Sequence, residues 1–125
     1  MPSLEDLAER LFQAEQTREG IDPLTMHVPS LTPEEAYHIQ LINIRRKIEQ
    51  GDQVVGKKIG LTSKAMQQLL GVNEPDYGHL LHTMEIKAGD RVPWEKLLQP
   101  KVEGEIAFIL KKTLKGPGLT YLDVI

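Results

Sequence analysis

The sequence predicts an α+β fold, in which helices come first and strands joined by short turns follow. Two early segments, residues 2–20 and 31–51, have apolar residues at helical spacing. The most strand-like run, residues 101–114, comes late in the chain. One clear strand and two or three weaker ones cannot make a well-covered sheet. We therefore expect more of the β region to follow residue 125.

Composition narrows the classes of function. The chain has 125 residues, with 15 Lys and Arg against 18 Asp and Glu, so its formal net charge is −3. A mildly acidic chain without a basic cluster is a poor candidate for binding nucleic acid. The absence of cysteine excludes disulfides, thiolate metal sites and cysteine nucleophiles. No stretch resembles a membrane helix or a secretory signal, so we expect a cytoplasmic protein that does not bind membranes.

The first helix is predicted over residues 2–20, with Ser3 as its N-cap and Gly20 as the left-handed residue that ends it. Its apolar positions recur at helical spacing, and they are Leu4, Leu7, Leu11 and Ala14. A linker with two prolines, residues 21–30, follows.

The second helix, residues 31–51, has the clearest beginning. Thr32 and Glu35 form a capping box around Pro33, which suits the first helical position. Its apolar stripe consists of Tyr37, Leu41, Ile44 and Ile48. The basic run at 45–47 lies at the helix end, where cations suit the helix dipole, and we interpret it as a solvated face.

Shorter elements follow. A strand begins at Val54, and residues 62–71 predict a short helix that ends at Gly71. A weaker strand is expected over residues 79–86. Two residues are candidates for the cap of the short helix, Thr62 and Ser63.

Two glutamates stand two positions apart in the apolar run "PKVEGEIAFIL", residues 100–110. In a strand, Glu103 and Glu105 would point to the same face and would repel each other unless neutralised. A hard cation such as Mg²⁺ or Mn²⁺ would do so. Alternatively, both glutamates lie on the wet face of an amphipathic strand. The opposite face should be a core face, formed by Val102, Gly104, Ile106, Phe108 and Leu110.

Two upstream motifs contain residue types that catalysis uses. In "GKKIG", residues 56–60, a lysine between glycines could pair with a carboxylate substrate or transfer a proton. In "EPDYG", Asp76 follows a proline, so its backbone is rigid. The competing interpretations are an exposed lysine beside a turn and an ordinary turn aspartate. The histidines lack metal-ligand spacing and are interpreted as structural or surface residues: His27, His38, His79 and His82.

Taken together, residues 56–81 and 99–118 resemble the 2-hydroxypenta-2,4-dienoate hydratases, also called 2-keto-4-pentenoate hydratases. The chain is also similar to the 4-oxalocrotonate decarboxylases and the 2-oxohept-4-ene-1,7-dioate hydratases, within the fumarylacetoacetate hydrolase-like superfamily. The resemblance runs the length of the chain, and "KIGLTSK", "EPDYG" and "VEGEIAF" occur in this order and spacing.

The resemblance implies an N-terminal α/β region over residues 1–99 and the start of a metal-binding β core over residues 100–125. Members are about twice as long, so the chain would correspond to their N-terminal half. A third acidic metal ligand would then follow residue 125, and the isolated chain would be inactive.

The resemblance also implies roles for single residues. Glu103 and Glu105 occupy the positions of two metal-binding glutamates, for Mg²⁺ or Mn²⁺. Lys58 and Asp76 occupy the positions of a catalytic lysine and aspartate. Leu61, with the backbone around Ile59, would line the same pocket.

The function implied is metal-dependent hydration of 2-hydroxypenta-2,4-dienoate to 4-hydroxy-2-oxopentanoate in the meta-cleavage breakdown of aromatic compounds. Two alternatives stay open, a 4-oxalocrotonate decarboxylase and a truncated, non-catalytic subunit. The implied partners are a small 2-hydroxydienoate or 2-oxo acid substrate, further copies of the chain in a homo-oligomer, and the partner decarboxylase.

Overall fold

The structure, a computed structural model, describes residues 2–125 and confirms the α+β class. Its helices and strands are, in chain order, α1 (Leu4–Thr17), α2 (Leu24–His27), α3 (Pro33–Glu49), β1 (Val54–Gly60), α4 (Lys64–Leu70) and β2 (Asp76–Leu81). Single-turn 3₁₀ helices follow at His82–Met84, Trp94–Lys96 and Tyr121–Asp123. No helix in the described part of the chain is long and apolar enough to cross a membrane.

Capping side chains begin the helices where the sequence predicts. The Ser3 hydroxyl accepts from the Asp6 amide at 3.1 Å, and the Asp6 carboxylate accepts from the Ser3 amide at 2.9 Å. Thr32 and Glu35 form the same reciprocal pair at the start of α3. Ser63 caps α4 through its hydroxyl. Each box satisfies amides that have no partner inside the helix.

Two of the predicted boundaries around α1 are wrong. The helix ends at Arg18, which adopts the left-handed conformation with φ 58°, and not at Gly20. The Glu19 amide already closes onto the Ala14 carbonyl, so the chain has left the helix before the glycine is reached. The predicted linker at 21–30 contains the short helix α2.

The buried core lies between α1 and α3. Leu7 and Ile39 are each 1% exposed, and Ala8 and Val28 pack with them. The side-chain amide of Asn43 donates to the Ala8 carbonyl at 2.9 Å. The predicted α3 stripe is partly right, because its Ile44 is buried whereas its Ile48 is exposed.

The basic run at the end of α3 pairs with acidic residues of α1. Arg46 lies 2.7 Å from the Glu9 carboxylate, and its guanidinium lies 4.3 Å from the centroid of the Phe12 ring. Lys47 lies 2.5 Å from the Glu15 carboxylate. Such partly exposed pairs add little to the free energy of unfolding, but they link the end of α3 to α1.

The two strands form one antiparallel sheet, in which Gly60 pairs with Asp76 and Lys58 pairs with Gly78. The strand expected over residues 79–86 is therefore placed too late. The strand β2 begins at Asp76 and ends where its pairing with β1 ends, and a 3₁₀ turn continues the chain.

The prediction of a strand over residues 101–114 is wrong in this structure, because these residues have no regular secondary structure. Three side chains of its expected core face are exposed, with Val102 at 99%, Ile106 at 86% and Phe108 at 60%. A strand needs a neighbour that pairs its backbone amides and carbonyls. Within residues 2–125 the sheet contains only β1 and β2, so apolar alternation alone does not produce a strand here.

We expect Leu7→Ala to lower the free energy of unfolding by about 2–5 kcal/mol, because it leaves a cavity in the core between α1 and α3. The matched control is Leu69→Ala in α4, where the leucine is 75% exposed and the loss should be within about 0.5 kcal/mol. Urea unfolding of both variants measures the difference. Equal losses would contradict the location of the core.

Candidate active site

Lys58 projects from a sheet face whose neighbouring positions are glycines. Side chains alternate along a strand, so Gly56, Lys58 and Gly60 share one face of β1. The residue paired with Lys58 across the sheet is Gly78. Lys58 thus has glycines beside it along β1 and opposite it in β2, whereas its two diagonal neighbours on this face, Leu80 and Asp76, have side chains.

Asp76 lies on the same face, as the diagonal neighbour of Lys58. Asp76 pairs with Gly60, whereas Lys58 pairs with Gly78, two residues after Asp76 in β2. Diagonal neighbours in an antiparallel sheet are roughly 7–8 Å apart. A side chain at residue 60 would overlap the Asp76 carboxylate, so the glycine leaves space for that group.

The two glutamates converge on Lys58. The Lys58 ammonium donates a short hydrogen bond to Glu105 Oε1 and lies 3.5 Å from Glu103 Oε2. The charged side chains of Lys58, Glu103 and Glu105 therefore meet on this face of the sheet, although the lysine and the glutamates are far apart in the sequence. The expectation that the two carboxylates lie side by side agrees with this geometry, although their segment is not a strand.

The hydrogen bond to Glu105 raises the pKa of Lys58 above its ordinary value of 10.5, and the charges of Glu105 and Glu103 add to this effect. A raised lysine pKa keeps the ammonium protonated at neutral pH. Lys58 is then suited to pairing with an anion, as it does with the two glutamates, and not to abstracting a proton. While the glutamates are ionised, the stabilisation that comes from the raised pKa of Lys58 is fully present below pH 10.5. It is lost as the pH rises through the higher pKa of the folded state.

A cavity of about 690 Å³ lies between the start of α3 and the turn that precedes β2. Leu61 and Asp76 both line it, and the left-handed conformation of Leu61, with φ 54°, turns the chain at the end of β1. In the described part of the chain, Lys58 and the two glutamates are not among its lining residues. Asp76 therefore contributes to the cavity and to the face that carries Lys58.

Two side chains of α3 that we did not predict as functional hold β2 in place. The Gln40 amide nitrogen donates to the Tyr77 carbonyl at 3.3 Å, and its oxygen accepts from the His79 amide at 3.3 Å. The Tyr37 and Tyr77 rings meet edge to face, with centroids 4.7 Å apart. Tyr37 and Gln40 are three residues apart on one helix face, and this spacing is the only sequence feature that links them.

The carboxylates fit a divalent cation in chemistry and in arrangement. Glu103 and Glu105 offer oxygen donors, which Mg²⁺ and similar hard cations prefer. Because both carboxylates reach the nitrogen of Lys58, they can also reach one common ion. Among residues 2–125, no group of three or more His, Asp or Glu side chains is placed to hold a metal ion. These two glutamates would need further donors.

Comparison with known proteins shows that the chain is related to hydratases of 2-hydroxydienoates. It is 49% identical over 123 residues to a 2-hydroxypent-2,4-dienoate hydratase from Pseudomonas putida, covering 98% of this chain and 55% of that protein. It is 45% identical over 124 residues to a 2-hydroxyhexa-2,4-dienoate hydratase from Comamonas testosteroni, covering 98% and 47%. The chain thus spans about half the length of the curated relatives it matches. No protein-family model matches it.

A solved structure is also similar. The 4-oxalocrotonate decarboxylase from Pseudomonas putida G7, complexed with magnesium and adipate, superposes with a TM-score of 0.61 and 38% sequence identity. The match covers 64% of this chain and 30% of the decarboxylase. A second structure of that enzyme, complexed with calcium and acetate, has the same TM-score and identity.

The close approach of Gly60 to Asp76 can be tested by mutation. We expect Gly60→Ala to turn the Asp76 carboxylate away and to cost about 1 kcal/mol in the free energy of unfolding, because the aspartate must leave its rotamer. Gly56→Ala is the control in the same strand, where the added methyl group meets Leu80 at an ordinary 3.7 Å. A crystal structure of each variant and urea unfolding measure these effects. An unmoved Asp76 in Gly60→Ala would contradict the geometry.

Proposed function

Because the chain is homologous to the 2-hydroxypentadienoate hydratases, we propose that it supplies part of the active site of such a hydratase. The reaction is hydration of 2-hydroxypenta-2,4-dienoate to 4-hydroxy-2-oxopentanoate, in the meta-cleavage breakdown of aromatic compounds. The observation that carries the proposal is the meeting of Lys58, Glu103 and Glu105 on one face of the sheet, with Asp76 diagonally beside them. An identity of 49% over nearly the whole chain supports it.

Glu103 and Glu105 are the proposed protein ligands of a divalent cation, Mg²⁺ or Mn²⁺. Their oxygen donors and their convergence support this assignment, as does the magnesium or calcium in the decarboxylase structures. When bound, the cation would act as a Lewis acid toward negative charge on the substrate oxygens. Two carboxylates leave coordination positions for water, substrate and further protein donors.

Lys58 and Asp76 are the proposed catalytic residues. In the reaction the substrate loses the proton of its 2-hydroxyl group and gains one at carbon 5, and water then adds across carbons 3 and 4. The Lys58 ammonium is proposed to bind the anionic substrate and to transfer a proton. The Asp76 carboxylate is suited to accepting a hydrogen bond from the attacking water and receiving its proton.

The wider organisation is proposed on the same basis. Residues 1–99 would form an N-terminal α/β region, and residues 100–125 would begin a β core. Exposed apolar side chains in the second region favour a covering partner in the complete enzyme, as Val102 and Ile109 are 99% and 100% exposed. The complete enzyme would be a cytoplasmic homo-oligomer that associates with the partner decarboxylase.

The proposal is tested in a polypeptide of full hydratase length, in which this chain replaces the matching residues of the Pseudomonas putida hydratase. We expect Glu105→Gln to weaken Mg²⁺ binding and lower kcat/KM, each by at least about tenfold, because a ligand oxygen loses its charge. Asp76→Asn should lower kcat by about 10²–10⁴-fold with little change in Mg²⁺ affinity.

The matched control is Glu95→Gln, in the 3₁₀ helix Trp94–Lys96, since Glu95 is not one of the carboxylates that pair with Lys58. It should change neither quantity. Full Mg²⁺ affinity and turnover in Glu105→Gln would contradict the assignment of the glutamates.

Decarboxylation is the second candidate, and the 38% identity to 4-oxalocrotonate decarboxylase favours it. Supplying the chimeric enzyme with each substrate separates the two functions. A hydratase removes the diene absorbance of 2-hydroxypentadienoate without releasing CO₂, whereas a decarboxylase releases CO₂ from 4-oxalocrotonate. We expect the first result. Neither activity, with cation binding intact, would instead favour a non-catalytic subunit.

A further inference from the structure

We propose that Lys58 is a placeholder for the divalent cation: it holds Glu103 and Glu105 together when no cation is bound, and an entering cation displaces it toward Asp76. The inference rests on the proposed function, because it takes the two glutamates as the cation ligands. It assigns Lys58 a second role, that of a positioning residue, in addition to its proposed contact with substrate.

The first step concerns which group keeps the carboxylates of Glu103 and Glu105 close together. Two carboxylates two positions apart repel each other, and their segment has no strand pairing to restrain it. Among residues 2–125, the cationic group within 4.0 Å of Glu103 and of Glu105 is in each case the ammonium of Lys58. The ion pair therefore gathers both carboxylates where an incoming cation would need them.

The second step concerns whether Lys58 can leave. Its side chain is 42% exposed, and the Asp76 carboxylate lies over Gly60, the next position on the Lys58 face of β1. The four-carbon stem has rotatable bonds, so the ammonium can swing across the face without a change in the backbone. Asp76, the diagonal neighbour on this face, offers a carboxylate that can receive it.

The third step concerns charge. One ammonium neutralises half of the charge of two carboxylates, whereas a divalent cation neutralises all of it. The cation thus replaces Lys58 with a gain in attraction, and the displaced ammonium becomes available to Asp76 or to an anionic substrate. Cation binding would in this way assemble the lysine and aspartate that the proposed reaction uses.

Competition by Lys58 must weaken cation binding. An exposed ion pair is typically worth a factor of about 1.4–5 in an equilibrium constant. We therefore expect Lys58→Met to bind Mn²⁺ about 1.4- to fivefold more tightly than the chimeric enzyme with Lys58 intact. Were Lys58 only a structural support for the glutamates, its removal would weaken binding instead, so the direction of the change distinguishes the two roles.

The experiment is a titration with Mn²⁺ of the full-length chimeric enzyme described above, because the two glutamates need further donors. Electron paramagnetic resonance measures the free ion, and no activity is needed. Lys57→Met is the matched control, since Lys57 is the adjacent lysine on the opposite face of β1 and should leave the affinity unchanged. Lys58→Arg, which retains the competing charge, should bind no more tightly than the chimeric enzyme with Lys58 intact. Circular dichroism checks the fold of each variant, and Lys58→Gln replaces Lys58→Met if the latter does not fold.

Each outcome is decisive. Tighter binding by Lys58→Met alone supports the placeholder role. Equal or weaker binding, together with loss of binding in Glu105→Gln, overturns the placeholder role but leaves the glutamates as ligands. Unchanged binding in both Glu103→Gln and Glu105→Gln overturns the ligand assignment and this inference with it. Undetectable binding by every variant at millimolar Mn²⁺ overturns both as well.

Discussion

The antiparallel register between β1 and β2 decides where the candidate catalytic side chains lie. Because Gly60 pairs with Asp76 and Lys58 pairs with Gly78, the lysine and the aspartate share one face as diagonal neighbours. A shift of one residue would move one strand's side chains to the opposite face and separate the two groups. Gln40 of α3 hydrogen-bonds to the β2 backbone, and Tyr37 of α3 packs against the Tyr77 ring. These contacts help to maintain the register.

The second organising contact is the ion pair between Lys58 and the two glutamates. It joins β1 to a segment 47 residues later that has no strand pairing of its own. The space over the glycines beside Lys58 is occupied by Leu80, Asp76 and Gln40. Asp76, whose carboxylate lies over Gly60, is the second partner that we propose for Lys58. In this proposal, Lys58 holds the two glutamates when no cation is bound and contacts the substrate when a cation is bound.

Local signals predicted much of the fold. The N-cap at Ser3, the capping box at Thr32 and the beginning of β1 at Val54 follow the sequence directly, and Ser63 is one of the two predicted caps of α4. Each is set by residues within three or four positions of one another. The prediction of a strand over residues 101–114 is wrong because strand formation requires a partner, and the alternation of side chains does not supply one. The spacing of Glu103 and Glu105 predicts only that their carboxylates lie side by side, whereas the glycines beside and opposite Lys58 become apparent only from the strand pairing.

The sequence by itself determined the beginnings of α1, α3 and α4 and the three motifs that indicate the relationship to the hydratases. These depend on residue types at short, constant spacing. Only the tertiary structure decided that Lys58 meets both glutamates, that Asp76 lies diagonally across the sheet from it, and that Gly60 leaves space for the aspartate. These relations depend on contacts between residues far apart in the chain. Strand register and long-range charge pairing set them, and no local pattern encodes either.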